Sequence, residues 1–224
     1  MRAWPLAIRR RLAKRKRPAP PLAAVLDSRL PVASTRFREL ELLCLDVETT
    51  GLDTRRDEIL SVGWVVIRQG RIDLSTATRS LVRPAGPVGR SATIHGLTDS
   101  AVAAGTPLEA VLERLLESVV GRVLVVHHAG LDKALLDREC RRCYGAPLLV
   151  PVIDTLAVER RSRLRRPVTA KRNSLRLADL RAEYGLPRYG AHDALTDAQA
   201  TAELLLAMVA RRGGPTRVRL SDLL

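Results

Sequence analysis

The stretch Leu42-Leu43-Cys44-Leu45-Asp46-Val47-Glu48-Thr49-Thr50-Gly51-Leu52 decides how this chain is read. Its apolar run, Leu42–Glu48, reads as a short strand that meets a turn at Thr49-Thr50-Gly51. Side chains alternate along a strand, so Asp46 and Glu48 share one face while Leu45 and Val47 take the other. Two carboxylates at that spacing repel, and a bound cation is the usual remedy. Hard divalent ions such as Mg²⁺ or Mn²⁺ prefer such oxygen ligands. A solvated strand end accounts for a lone D-x-E equally well, so the pair needs support from the rest of the chain.

Working outward, Ile59–Ile67 and Arg71–Val82 hold enough Val, Ile and Thr for two further strands, with Gly70 as the hairpin turn between them. Three strands in series suggest an antiparallel meander. The pattern then turns helical. Thr106 can cap a helix, Pro107 suits a first helical position, and Glu109 can complete a capping box. Val111, Leu112, Leu115, Leu116 and Val119 follow at helical spacing. Arg122–His128 reads as a buried strand and 130–143 as a helix; Pro151–Ile153 is a short strand entering a helix from Asp154. Arg160–Arg172 reads as a basic loop with seven cations and no acid. Ser174–Tyr184 is a helix stopped by Gly185 with Pro187 beyond, and Ala194–Arg211 is the last helix, closed by Gly213-Gly214. The fold class is α/β: a mixed sheet, three antiparallel strands and then parallel strands, flanked by helices.

The ten residues from Leu43 to Leu52 resemble the first exonuclease motif of the DnaQ-like, or DEDDh, family, an apolar strand followed by D-x-E-T-T-G. That family includes the proofreading epsilon subunit of bacterial DNA polymerase III, and the resemblance implies a ribonuclease H-like sheet. The family's second motif, apolar-apolar-H-N-A-x-F-D, is matched by Val125-Val126-His127-His128-Ala129-Gly130-Leu131-Asp132, with His128 and Leu131 departing from the pattern at positions that lie near the substrate. Its third, H-x-x-x-x-D, is matched by His192-Asp193-Ala194-Leu195-Thr196-Asp197. Ile94-His95-Gly96-Leu97-Thr98, Ile153-Asp154-Thr155-Leu156 and Lys171-Arg172-Asn173-Ser174-Leu175 resemble further family segments, so the likeness runs from about Leu42 to Met208.

The resemblance implies a two-metal hydrolysis using Mg²⁺ or Mn²⁺. Asp46 would serve both ions, Glu48 and Asp197 would complete one site, and Asp132 would act on the second through water. His192 would take the proton of the attacking water, a role that suits histidine's ordinary pKa of about 6.5. Thr49, Thr50, Gly51 and Leu52 would grip the terminal nucleotide, with His95 and His127 close to it. His127 as a core histidine bonded to a carbonyl is the competing reading, and His128, grouped with the substrate side, has no assigned role. Asp154 reads as a helix cap, Asp193 as a helix-start residue, and Asp53, Asp57 and Glu58 as loop charges. The arginines of 160–166 either track a nucleic-acid backbone or are simply solvated.

Composition sets the surroundings. The formal charge is +14, and residues 1–26 carry eight cations and no acid, leaving thirty cations against twenty-four acids elsewhere. Such a balance suggests a polyanionic partner. Prolines 18, 20 and 21 mark a basic N-terminal extension over 1–38, in which Leu22–Leu30 can form a docking helix; 39–212 is the expected catalytic domain and 213–224 a short tail. Three cysteines and no secretory signal point to a reducing, cytoplasmic setting, with an organelle transit peptide as the minor alternative. Cys140 and Cys143 are a lone C-x-x-C at a helix end. No apolar run reaches the ~18 residues of a membrane span.

Three function classes follow. The first is a 3′→5′ exonuclease on single-stranded DNA, free-standing or associated with a polymerase or repair partner; a short tail and the lack of a clear clamp-binding box favour the free-standing form. The second is an RNA exonuclease, disfavoured because base clamping in such members uses several phenylalanines and this chain has one, Phe37. The third is a non-catalytic nucleic-acid-binding subunit, disfavoured because every acidic and histidine position of the motifs is filled.

Overall fold

The computed structural model describes residues 5–86, 102–164, 174–190 and 192–224. Two helices open the chain, α1 (Leu6–Lys14) and α2 (Pro20–Asp27). The sheet strands are β1 (Leu42–Thr49), β2 (Ile59–Arg68), β3 (Arg71–Leu81), β4 (Val123–Val126) and β5 (Val152–Asp154). The remaining helices are α3 (Leu108–Val119), α4 (Ala129–Tyr144), α5 (Thr155–Leu164), α6 (Leu177–Glu183) and α7 (Ala194–Arg211).

The strands lie in the order β3-β2-β1-β4-β5. The meander β1-β2-β3 is antiparallel, whereas β4 runs parallel to β1 and β5 parallel to β4. The β2–β3 connection is a two-residue turn at Gln69-Gly70, both with positive φ (52° and 74°), the geometry whose twist matches the flanking strands. Parallel β1, β4 and β5 end on the same edge of the sheet, and open α/β sheets build their sites outside such carboxyl ends. That edge carries Asp46, Glu48, His127, His128 and Asp154.

Alternation along β1 divides the core. Leu43, Leu45 and Val47 pack with Val62 and Trp64 against α2, α3 and α4, where Leu22, Val25, Leu26, Val111, Leu112 and Leu135 are buried. Leu42 and Cys44 pack with Val65 and Ile67 against α7, through Leu204, Leu205 and Met208, with Val158 of α5 and Leu180 of α6. Phe37 and Leu220 join this second core, held by a bridge between Arg36 and Arg219. Among the described residues no helix is long and apolar enough to cross a membrane.

Two local expectations are corrected. Thr106 does not cap α3: its N–H bonds Leu81 O, its carbonyl accepts from Arg83, and the helix begins one residue later than expected, after Pro107 and without a side-chain cap. Glu109 meets Arg142 instead, at 2.9 Å. The basic run from Arg160 is not all loop either, because α5 continues to Leu164. Within it Arg163 pairs with Glu159 and Glu183, and Arg161 bonds Leu223 O, so these two cations are engaged inside the protein. Arg165 to Asn173 lie outside the described residues.

Candidate active site

The site begins where β1 ends. Asp46 pairs across the sheet with Gly63 of β2, and Gly63 with Arg79 of β3, so these three positions form one row on one face. Glu48 pairs with Ser61 in the next row of that face. Gly63 decides what can approach: a Cβ there would lie 2.2 Å from Ala194 C and Leu195 N. The first turn of α7 therefore rests directly on the backbone of β2, beside Asp46. A side chain at position 63 would hold the third motif away from the first.

The turn into α7 is fixed from both sides. The Asp193 carboxylate caps the helix by accepting from Thr196 N–H and from Thr196 Oγ1–H, both at 3.0 Å. Its other oxygen meets Arg79 Nε at 2.8 Å, which ties the cap to the row already described. His192 stands just before it with φ 71°, a left-handed conformation that costs of order 1–3 kcal/mol in a non-glycine residue. Its N–H donates to Asp197 Oδ2 at 3.0 Å. One ligand atom each of Glu48, His192 and Asp197 lies within 4.8 Å of the others.

The second motif reaches the same edge through another strained residue. His128 has φ 75° and ψ 68° and precedes α4. Asp154, at the end of β5, accepts from His128 N–H at 3.0 Å and Ala129 N–H at 3.1 Å, and also from Leu156 N–H at 3.0 Å. One carboxylate thus starts both α4 and α5. Asp132 is buried in the first turn of α4. His127 is bonded at both ring nitrogens, Nε2 to Leu175 O at 3.0 Å and Nδ1 to Thr155 Oγ1 at 2.8 Å. Toward the Leu175 carbonyl Nε2 can only donate, while Thr155 Oγ1 lies between Nδ1 and Val126 O, donating to the latter at 3.2 Å. Burial lowers the His127 pKa, against a smaller opposing effect of the Leu175 carbonyl.

The loop after β1 is closed by a residue that reads as a plain loop charge in sequence. Asp57 accepts from Thr50 Oγ1 at 2.9 Å and from Asp53 N–H at 2.6 Å. Thr50 N–H donates to Glu58 O at 3.0 Å, and Thr49 Oγ1 to Gly51 O at 2.6 Å. A Cβ at Gly51 would lie 2.5 Å from Asp57 Oδ2, so the closure needs glycine there. Leu52 is left 83% exposed at the loop tip. Arg138, on the helix that carries Asp132, holds the far side by donating to Thr54 O at 2.8 Å and Asp57 O at 2.7 Å. Gly63, Asp57 and Arg138 are the supports that sequence motifs do not single out, whereas Asp154 caps as its sequence position suggests. His95 lies outside the described residues.

Electrostatically the edge is short of positive charge. Burial first, then the charges of Asp132, Glu48, Asp197 and Asp193, hold the Asp46 carboxyl well above its usual range. Burial, with Asp197 and Asp193, pushes Glu48 up to about 7 despite Arg79. Burial, Asp154 and Glu48 push Asp132 up to about 8. Burial raises Asp197 too, partly offset by the His192 N–H. Four carboxyls gathered on one edge resist ionising together. The set is oxygen-rich with one imidazole, which fits hard divalent cations.

The chain's likenesses point one way. Residues 43–205 match the model of the RNase_T exonuclease family. DNA polymerase III PolC-type from Thermotoga petrophila is 31% identical over 174 residues, covering 77% of this chain and 12% of that protein. A DNA polymerase III subunit epsilon-like protein from Rhodobacter capsulatus is 32% identical over 183 residues, covering 80% of this chain and 25% of that one. The chain thus spans a quarter or less of either relative. In fold it is similar to E. coli exonuclease I in complex with a dT13 oligonucleotide, with TM-score 0.67 at 19% identity over 78% of this chain and 42% of the other. It is also similar to exonuclease X in complex with 5′ overhanging duplex DNA, with TM-score 0.58 at 25% identity over 81% and 98%.

Proposed function

The chain belongs to the RNase_T exonuclease family, and from that premise we propose that it is a metal-dependent 3′→5′ exonuclease acting on single-stranded DNA. The observation that carries this reading is the convergence of Glu48, His192 and Asp197, drawn from opposite ends of the chain, to within 4.8 Å of one another, beside Asp46. Asp46, Glu48, Asp132 and Asp197 would hold two Mg²⁺ or Mn²⁺ ions, which when bound supply charge stabilisation at the scissile phosphate and lower the pKa of the attacking water. His192 accepts that water's proton. The water oxygen forms a bond to phosphorus, the bond from phosphorus to the 3′ oxygen breaks, and that oxygen leaves with a proton as the new 3′ hydroxyl. The product is a nucleoside 5′-monophosphate. The Thr49–Leu52 turn, closed by Asp57 and Gly51, grips the terminal nucleotide. His127, engaged at both nitrogens, acts by placing β4 and α5 around the terminal-nucleotide site. Residues 39–212 form the catalytic unit.

DNA is favoured by the neighbours crystallised with it and by relatives named for DNA polymerase III, which also favour a replication or repair setting in the cytoplasm. The chain's one phenylalanine is fully buried in the second core, so it supplies no aromatic clamp for RNA bases. The test offers 5′-labelled single-stranded DNA and RNA to the protein with Mg²⁺, Mn²⁺ or EDTA, alongside Asp46→Ala. Shortening from the 3′ end, faster on DNA and lost with EDTA or Asp46→Ala, is expected. Shortening that survives EDTA would overturn the metal mechanism, and faster digestion of RNA would reverse the substrate order.

A further inference from the structure

His192 reaches the site on the connection between α6 and α7, which starts at Tyr184 and ends at Asp193. One side chain of α6 gathers that connection onto α7. Arg181 is 3% exposed, and its guanidinium donates to Ala200 O at 2.8 Å, Pro187 O at 2.9 Å and Glu203 Oε2 at 2.8 Å. The planar fork lets two terminal nitrogens serve three acceptors on different segments at once. The other oxygen of Glu203 accepts from the Tyr189 hydroxyl at 2.8 Å and from Gln199 Nε2–H at 3.1 Å. The guanidinium also lies over the Tyr189 ring, 4.5 Å from its centre. Pro187 is thus held by its carbonyl, and Tyr189 by both its ring and its hydroxyl, five and three residues before His192.

A tie between two helices needs the Arg181–Glu203 pair alone, yet here the pair extends to two residues of the connection itself. His192 has φ 71°, and a strained residue persists only where its surroundings over-determine it. Beyond His192 the chain is fixed by the Asp193 cap and by Arg79. Ahead of it the fixed points are Pro187 and Tyr189. The two sets of contacts bracket the residue that carries the imidazole. Arg181 and Glu203 do this from a distance: Ala200 and Glu203 stand about one and two turns further along α7 than Asp197, and among the described residues neither side chain bonds a carboxylate of the site.

We propose that Arg181, Glu203 and Tyr189 form a positioning clamp for His192, setting the rate of the chemical step through that residue and leaving substrate affinity alone. The inference rests on the exonuclease reading with His192 as the base. The test follows single-turnover cleavage of a labelled oligodeoxythymidylate by the full chain in Mn²⁺, and its affinity by anisotropy in EDTA. Arg181→Met and Tyr189→Phe are each made in the parent and in a His192→Asn background. Arg211→Gln is the control: Arg211 joins the same helices, lying 3.9 Å over the Tyr184 ring and donating to Glu183 O at 2.7 Å, but stands about 21 Å along α7 from Asp197. Arg181→Met is expected to slow cleavage about 10–10²-fold and Tyr189→Phe about fivefold, with affinity within about twofold. In the His192→Asn background each adds less than about twofold, since a clamp that works through a residue has nothing to act on once it is gone. The His192 ring resonances of metal-free protein, identified by their loss in His192→Asn, move or broaden in both clamp variants and stay in place in Arg211→Gln, whose rate is within about twofold of the parent.

An equal loss of rate with and without His192 overturns the clamp, because it places the effect on α7 as a whole. So does a rate loss matched in affinity, an Arg211→Gln protein slowed as much as Arg181→Met, or parent rates and unmoved His192 resonances in both clamp variants. If Arg181→Met fails to fold, Tyr189→Phe decides alone, since it removes one hydroxyl from a side chain that is 41% exposed. A parent that binds the oligomer but releases no nucleotide in Mn²⁺ overturns the exonuclease reading and the clamp with it. A parent that cleaves, beside clamp variants that cleave as fast, overturns the clamp alone.

Discussion

Gly63→Ala tests whether the site depends on contact between α7 and β2. The added Cβ would sit 2.2 Å from Ala194 C and Leu195 N, where ordinary contact begins near 3.4 Å, so backbone must move by roughly 1 Å. Neither neighbour is a flexible side chain. The strand is central and hydrogen-bonded on both sides, so the helix start yields, and with it His192, Asp193 and Asp197. Overpacking of this kind costs about 1–3 kcal/mol, or roughly 2–12 °C in melting temperature for a chain this size. The effect on chemistry is larger in proportion, since a misplacement of about 1 Å can cost on the order of 10²-fold in rate. Single-turnover cleavage of a labelled oligonucleotide at saturating Mn²⁺, with melting in parallel, separates the two. Gly86→Ala, which meets nothing within 4 Å, serves as the silent control. A folded Gly63→Ala protein that cleaves within about threefold of the parent would refute the reasoning.

Other perturbations test the charges and caps. Glu48 and Asp132 have folded values of about 7 and about 8, above their ordinary 4.5 and 3.8; a raised carboxyl contributes its stability fully below the unfolded value and loses it as pH climbs to the folded one. Metal-free protein should therefore melt lower as pH rises from about 4 to 8, by roughly 3 kcal/mol from Glu48 alone, and excess Mg²⁺ or Mn²⁺ should flatten the decline; a melting temperature independent of pH and metal contradicts this. His192→Asn should lower turnover by about 10²–10⁴-fold with oligonucleotide affinity nearly kept, and an equal loss in affinity would count against its role as base. Asp154→Ala should cost about 1–2 kcal/mol, because two helix starts lose their acceptor, and amide exchange should rise at Ala129 and Leu156 together; a rise at one alone would show that the carboxylate does not serve both.

The sheet and most helices are legible in sequence because their signals are local. Period-two alternation puts Asp46 and Glu48 on one face, Gln69-Gly70 sets the hairpin, and α7 spans the residues its pattern marks, Ala194–Arg211. Where the reading slips, a distant partner has outbid a local preference. Thr106 has the chemistry of a cap, yet its backbone is taken by Leu81 and Arg83. Arg160, Arg161 and Arg163 look like a solvated loop, yet α5 continues because Glu159, Glu183 and the Leu223 carbonyl receive two of them. Asp57 looks like a loop charge until the closure of residues 50–57 gives it two donors.

Helix α1 is the instructive miss, because its core-facing residue carries a charge. Leu6, Arg10 and Ala13 fall on one side at helical spacing, but an arginine in the middle of that stripe breaks the apolar pattern by which amphipathic helices are recognised. Burying a guanidinium is costly unless every donor finds an acceptor. Four carbonyls contributed by α2, the residue after it and the strand-leading segment at Leu149 receive its two terminal nitrogens, and none of the three is adjacent in sequence to Arg10. Such an anchor is directional: a methionine there could fill the space but would leave converging carbonyls without a donor. Arg10→Met should therefore loosen α1 while the β1–β2 core keeps its protection from amide exchange. A variant that keeps the parent's protection throughout α1 would show that the guanidinium does not anchor the helix.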